Sequence, residues 1–234
     1  MIFQLLQSVP KVVAIAILTF SLFLPTSNPV KAQSKPASSS NPSSNPIEQP
    51  RPDFINQVLA AKLMQNSPDG KFYAERALSR AEIATILVKA FSLDRLRSLK
   101  TSTEFIDVPS NYWAYQAIKT AVASETMIGY EKNRFFPNQR VTRAEGFATF
   151  ANAYGIFQFP EDTVKEFLAP YADSKELPVW SRKAWATALN ENFVNLDSEN
   201  KINSLKPMTR GDMAFALSRY LEKERGRSGN SPKS

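Results

Sequence analysis

Three short motifs contain the side chains of this chain that are best suited to binding or chemistry. Each places an arginine after a serine or threonine and an acid three residues after that hydroxyl, and the motifs recur 63 and 67 residues apart (142 − 79 and 209 − 142). This is the pattern of a capping box, in which hydroxyl and carboxylate bond backbone amides at a helix start. The predicted capping residues are Ser79, Glu82, Thr142, Glu145, Thr209 and, as a weaker box with a shorter acid, Asp212.

The arginine of each motif is not explained by capping. Arg80, Arg143 and Arg210 take the first helical position, where the helix dipole disfavours a cation by about 0.3–1 kcal/mol. Two uses are open: an ion pair within the fold, for instance with Asp107 or Asp173, or an anion held jointly by the guanidinium and free helix amides. On the second use, replacing Arg143 by alanine is expected to weaken anion binding and leave the helix intact.

The composition narrows the chemistry that the chain can perform. Histidine and cysteine are absent, which excludes disulfides, thiolate metal sites and the usual general base. Because there are only seven glycines and no glycine-rich phosphate loop, we expect no catalytic residue, no metal and no cofactor. Acid pairs such as Asp107 with Glu145 leave one catalytic alternative, a wall-glycan hydrolase that uses paired carboxylates.

The two ends of the chain differ in composition from the middle. Residues 12–24 form an uncharged run of 13, which is shorter than the roughly 20 residues of a membrane helix. We predict a signal peptide over 1–32, with a retained anchor as the alternative. Residues 33–52 are rich in Ser, Pro and Asn and predict a flexible linker, and 225–234 predict a disordered tail.

Export places the folded part in the cell envelope, in the periplasm, the wall or at the outer surface. The net charge of the mature chain, +5 after two lysines are removed from +7, suits an anionic wall polymer or simply a solvated surface. We expect no nucleic-acid partner, because the basic residues form no run with interleaved aromatics, and no membrane span in the mature chain.

Apolar periodicity between the two ends predicts an all-α fold of helix–loop–helix units. Trp113 and Trp180 each begin an amphipathic stripe, and Phe54 takes the same place in the first unit. One unit cannot bury such faces alone, so the units must pack together. The units are predicted at 53–98, 99–160 and 161–224. Left-handed residues are expected to end the first helix of each unit, at Asn66, Gly129 and Asn195.

The middle unit resembles the S-layer homology family in an ordered set of motifs. These are Phe105-x-Asp107-Val108, Trp113-Ala114, Ala117-Ile118, Ile128-Gly129-Tyr130, Phe136-Pro137 and 141–145. The resemblance covers about 53–222, is moderate in the third unit, and is weakest in the first, which lacks the Phe-x-Asp and tryptophan elements. It implies three repeats, the first degenerate, about a pseudo-threefold axis, with grooves that bind an acidic, often pyruvylated, cell-wall polysaccharide.

The resemblance also implies which side chains contact the polymer. Arg143 would grip its carboxylate and Trp113 would pack on a sugar ring. The corresponding residues of neighbouring grooves and loops complete the predicted site: Arg80, Arg210, Trp180, Asp107, Asp173, Gly129 and Tyr130. By residue type alone, both tryptophans could instead be core residues and both aspartates helix caps.

These patterns favour a non-enzymatic anchor or adaptor in the cell envelope. The alternative is a protein-interaction module that docks on another envelope protein, with the arginines meeting acidic side chains of that partner. Binding to wall sacculi that lack protein distinguishes the two hypotheses.

Overall fold

The computed structural model describes residues 53–95 and 104–229. The predicted signal peptide, the predicted linker and residues 230–234 of the predicted tail lie outside the described residues. Within them the chain forms helices and no strand, which confirms the all-α class. The seven helices are α1 (Asp53–Ala60), α2 (Arg80–Phe91), α3 (Tyr115–Ala123), α4 (Arg143–Tyr154), α5 (Glu161–Leu168), α6 (Arg182–Asn190) and α7 (Arg210–Gly229).

Two helical segments depart from the predicted units. Helix α5 is an additional helix that no motif indicated, and it packs against α6. Helix α7 continues to Gly229, so residues 225–229 are helical although the composition predicts disorder for 225–234. Charged pairs one turn apart, such as Arg227 with Glu224 at 2.7 Å, support this last stretch of helix. No helix in the described ranges is long and apolar enough to cross a membrane.

The three motifs begin helices α2, α4 and α7. In each, the hydroxyl accepts from the amide of the acid, and the acid accepts from the amide of the capping residue. The return bonds measure 2.9 Å from Ser79 N to Glu82, 2.8 Å from Thr142 N to Glu145, and 2.8 Å from Thr209 N to Asp212. All three helix starts are therefore encoded by local hydrogen bonding.

The residues that precede the caps join the three motifs in a closed ring. Leu78 N donates to Met208 O at 2.9 Å, Met208 N donates to Val141 O at 2.8 Å, and Val141 N donates to Leu78 O at 3.2 Å. All three side chains are buried in the core. This cyclic order is the contact pattern that packing about a pseudo-threefold axis would require, and the axis itself stays a prediction.

The left-handed residues after the first helices are Lys62, Glu125 and Asn192, each with φ of 57° or 58°. The prediction of Asn66, Gly129 and Asn195 for these positions is therefore wrong by a few residues. The turn forms where it does because the second residue after each of these positions is buried, namely Met64, Met127 and Val194. Packing thus imposes the reversal on lysine and glutamate, which do not favour this conformation.

The same backbone spacing recurs further along the loops. Positive φ values appear in two more sets with separations of 63 and 67 residues: Gly70, Asn133 and Asn200, then Tyr73, Phe136 and Asn203. The third segment therefore repeats the backbone conformation of the first two, although its side chains match them less well.

Candidate functional site

Each motif arginine reaches across to the loop of the next unit through the same two nitrogen atoms. Nε bonds a loop carbonyl at 2.8–2.9 Å, and Nη2 bonds a second one at 2.5–2.6 Å. The acceptor pairs are Phe135 and Ile128 for Arg80, Ile202 and Asn195 for Arg143, and Phe72 and Gln65 for Arg210. The guanidinium groups therefore fasten consecutive units in cyclic order.

The helix amides are also taken by neighbouring loops. Arg80 N donates to Gln139 O at 3.0 Å, and Arg143 N donates to Lys206 O at 2.8 Å. In the third motif, Arg210 N donates to a carbonyl at 2.9 Å in the same way. The free helix amides that the second open use requires are therefore not found at the motif arginines, and the guanidinium groups remain as the candidates of that use.

The two predicted aspartates accept hydrogen bonds from loop amides. Asp107 accepts from the amides of Phe135 and Phe136 at 2.9 and 2.8 Å. Asp173 accepts from the amides of Ile202 and Asn203 at 3.1 and 2.8 Å. Among the described residues, neither carboxylate pairs with a motif arginine or caps a helix through its side chain, so both of those alternatives are wrong.

Three surface grooves lie beside the motif arginines, and each combines the three units. One unit supplies the arginine, the next supplies its loop and capping acid, and the remaining unit supplies an aromatic side chain. The Arg80 groove contains Arg80, Ile128, Tyr130, Glu145 and Trp180. The Arg210 groove contains Lys62, Arg76, Glu82, Lys89, Trp113 and Arg210. The Arg143 groove contains Phe54, Arg143, Asn195, Asp197, Lys206 and Asp212.

The aromatic side chains of the grooves differ in exposure. Trp113 and Trp180 are 62% and 64% exposed, so neither is a core residue. Trp185, five residues beyond Trp180, is the fully buried tryptophan, and its indole N–H donates to Ala144 O at 3.1 Å. Phe54, which stands in the tryptophan position of the Arg143 groove, is partly buried with its ring 5.9 Å from that of Phe215. Two grooves are thus lined by an exposed tryptophan side chain.

Gly129 and Tyr130 have separate roles. A Cβ at Gly129 would lie 2.3 Å from the ring of Phe105, so glycine is required there for close packing. Tyr130 lies at the surface with the Arg80 guanidinium 4.7 Å above its ring, and it lines the Arg80 groove. Of the two predicted site residues, Tyr130 is the one that presents a side chain to the Arg80 groove.

The Arg210 groove differs from the other two grooves in its excess of positive charge. Its described lining residues include four cations and one acid, Glu82, which pairs with Arg76. Burial raises the pKa of Glu82, but the Arg76 guanidinium and the Ser79 amide outweigh burial and hold that pKa below its ordinary value of 4.5. Burial and the adjacent Arg76 cation lower the pKa of Arg210. Arg210 therefore lies beside a second cation, an arrangement that favours an anion near both guanidinium groups.

The Arg143 groove has its cation neutralised internally. Arg143 Nη1 lies 2.6 Å from Asp212 Oδ1, and the two side chains are 7% and 8% exposed. Asn195 bridges this pair: its carbonyl oxygen accepts from Arg143 at 3.1 Å and its amide donates to Asp212 at 2.8 Å. An ion pair within the fold, one of the two open uses, is therefore observed for one arginine, with a different aspartate from the two considered.

The catalytic alternative gains no support from the positions of its acids. Asp107 is bonded to two loop amides, and Glu145 accepts from the amide and hydroxyl of Thr142. Within the described ranges, no group of three acids could hold a metal ion. Several charged groove residues escaped the sequence analysis, among them Lys62, Arg76 and Lys89, because their place beside Trp113 depends on packing between units.

Comparison with known proteins identifies one matching family model and several relatives. The family model of the S-layer homology domain matches residues 48–84 and 104–145, which contain the first two motifs. The Surface-layer 125 kDa protein of Lysinibacillus sphaericus is 27% identical over 173 residues, which cover 73% of this chain and 14% of that protein. The Amylopullulanase of Thermoanaerobacterium thermosulfurigenes is 28% identical over 182 residues, covering 76% and 9%.

A third relative carries an anchoring function in its name. The Cellulosome-anchoring protein of Acetivibrio thermocellus is 32% identical over 98 residues, which cover 40% of this chain and 21% of that protein. The chain therefore spans less than a quarter of the length of these three relatives.

Proposed function

We propose that this chain, two segments of which belong to the S-layer homology family, is a non-catalytic envelope protein that anchors to the cell wall by binding an acidic polysaccharide between its repeats. The observation that carries the proposal is the Arg210 groove, where an exposed indole stands beside an excess of positive charge. Relatives named as surface-layer and anchoring proteins support the cell-wall setting.

The Arg210 groove has the two features that an acidic sugar needs. A guanidinium matches a carboxylate in shape and charge, and an indole face suits the apolar C–H patches of a pyranose ring. Lys62 and Lys89 add positive charge that draws a polyanion toward Arg210 and Trp113. The resemblance names Arg143 as the leading ligand, but Arg143 is already paired with Asp212. We therefore assign the acidic unit to Arg210.

Sedimentation with protein-free wall sacculi tests this assignment on the full chain. Replacing Trp113 by alanine should reduce wall affinity at least tenfold, since truncating a central tryptophan costs about 2 kcal/mol or more and 1.4 kcal/mol is tenfold. Ile106→Ala is the matched control, because Ile106 is equally exposed but lies outside the three grooves. Melting should be nearly unchanged in both variants.

Two further results decide the chemistry of the ligand. Stripping the acidic groups from the sacculi should abolish the difference between Trp113→Ala and the unmodified chain. Lys89→Gln should weaken binding at low salt and have little effect at high salt, because exposed charges are screened. If wall affinity is the same for Trp113→Ala and Ile106→Ala, the Arg210 groove does not bind the polymer.

The Arg80 groove supports a second candidate, docking on another envelope protein. Its charge is not in excess, and it presents the exposed side chains of Ile128, Tyr130 and Trp180 together. Apolar and aromatic side chains of this kind are enriched in protein interfaces. On this hypothesis Trp180→Ala would abolish capture of a partner from envelope extract and leave the binding of protein-free sacculi unchanged.

A further inference from the structure

The Arg143 groove contains a carboxylate of the chain itself in the position that an acidic ligand would take. Asp212 Oδ1 lies 2.6 Å from Arg143 Nη1, while Asp212 Oδ2 accepts from the Thr209 amide at 2.8 Å. The Asn195 amide donates to Oδ1 at 2.8 Å, so both oxygen atoms of Asp212 have partners. This carboxylate is buried, is oriented by two amide donors and is ion-paired with a guanidinium, as a bound acid would be.

The other two motif arginines differ from Arg143 at the corresponding nitrogen. Arg80 and Arg210 use Nε and Nη2 for loop carbonyls as Arg143 does, but among the described residues neither Nη1 has an acceptor. Their grooves carry glutamate where the Arg143 groove carries Asp212. Glu82 is drawn to Arg76 and the Ser79 amide, and Glu145 accepts from Thr142.

We infer that Asp212 occupies a carboxylate subsite on Nη1 and thereby closes the Arg143 groove to the polymer. The same Nη1 position on Arg210 is then the atom that receives the carboxylate of the ligand, an assignment that rests on the proposed function. Asp212 is a specificity-determining residue, because its identity decides whether the third groove can accept an acid. The shorter side chain matters: it keeps the capping bond with one oxygen atom and presents the other to Arg143.

Chemical rescue by acetate tests the subsite without any wall polymer. Asp212→Ala should lower the thermal midpoint, because it leaves the buried Arg143 cation without its carboxylate counter-ion. Sodium acetate should then raise that midpoint above the value in sodium chloride of equal ionic strength. At a concentration ten times its Kd, mass action stabilises by about RT ln 11, which corresponds to a rise of about 3–5 °C for a domain of this size.

Asp212→Asn is the matched control, because its amide fills the subsite and leaves no room for acetate. It should melt lower than the unmodified chain and show no greater rise with acetate than that chain shows. If Asp212→Ala does not fold, Asp212→Ser replaces it, since serine is smaller than aspartate and still opens space beside Arg143. Equal acetate responses in the space-creating variant, Asp212→Asn and the unmodified chain would overturn the inference, while the sacculus experiment would still stand.

Discussion

At the scale of single residues, the hydrogen bonds of the motif arginines offset the unfavourable position that these cations take at a helix start. A cation at the first helical position is opposed by the helix dipole, but each guanidinium here extends away to the carbonyl oxygens of a neighbouring loop. Two bonds from a charged donor, worth about 1.5–3 kcal/mol each, outweigh a dipole cost of about 0.3–1 kcal/mol. The first role of each motif arginine is therefore to bond one unit to the next. The grooves differ in the surroundings of the remaining Nη1 atom.

Replacing Arg143 by alanine should destabilise the fold, contrary to the expectation from the sequence alone. The change leaves the Asp212 carboxylate buried without its cation, which costs about 3–5 kcal/mol, and it frees the carbonyls of Ile202 and Asn195. Urea unfolding followed by circular dichroism measures the loss. The exposed Arg140 provides the control, since Arg140→Ala should stay within about 0.5 kcal/mol of the unmodified chain.

The double variant Arg143→Ala/Asp212→Ala separates loss of the ion pair from loss of packing. It removes the uncompensated carboxylate, so it should be more stable than Arg143→Ala. An Arg143→Ala protein as stable as Arg140→Ala would show that this ion pair contributes nothing to folding.

Local chemistry determined which parts of the site the sequence could predict. The capping residues could be predicted because their hydrogen bonds span only three positions in the chain. The partners of the arginines could not be predicted, because their hydrogen bonds join distant parts of the chain. The bond from Arg210 to Phe72 spans 138 positions. The exposure of Trp113 and the burial of Trp185 likewise follow from packing between units, and both residues begin or continue amphipathic stripes in the sequence.

At the scale of helices, the starts follow from local sequence, whereas the ends and the close contacts depend on packing. The starts of α2, α4 and α7 were predictable because a capping box acts within one turn. The ends of the first helices were not, since Lys62 and Glu125 take a left-handed conformation that their residue types do not suggest. Close contacts between a helix and a neighbouring loop are set by glycines, of which Gly146 in α4 is the clearest case: its Cβ would lie 1.9 Å from Met208 Sδ.

Glycine-to-alanine substitutions should therefore have opposite effects in two helices. Gly146→Ala should destabilise by about 1–3 kcal/mol despite the better helix propensity of alanine, because the buried Met208 must move. Gly226→Ala in α7 should stabilise by up to about 1 kcal/mol, because nothing lies within 4 Å of its added methyl group. Thermal unfolding of both variants measures the contrast, and a destabilised Gly226→Ala protein would contradict the helical assignment of 225–229.

At the scale of the whole molecule, the units are linked in a ring rather than a row. The spacings of 63 and 67 residues predicted repetition, but they did not predict that each groove takes side chains from all three units. That arrangement follows from the closed contacts of Leu78, Val141 and Met208 and from the packing of α1 against α7. Because α1 and α7 touch, none of the three units that the structure describes stands at a free end.

A ring predicts all-or-none unfolding and intolerance of truncation. The full chain should melt in one transition, with tryptophan fluorescence and far-ultraviolet circular dichroism giving the same midpoint.

Ending the chain at Ser204 removes α7, so Phe54 loses Phe215 and the loop carbonyls of Phe72 and Gln65 lose Arg210. The truncated chain should lose its cooperative transition altogether. Ending it at Gly229 keeps every described residue and should leave the midpoint unchanged. If the chain that ends at Ser204 kept a sharp transition near the original midpoint, the first two units would be independent of the third, and a linear array would replace the ring.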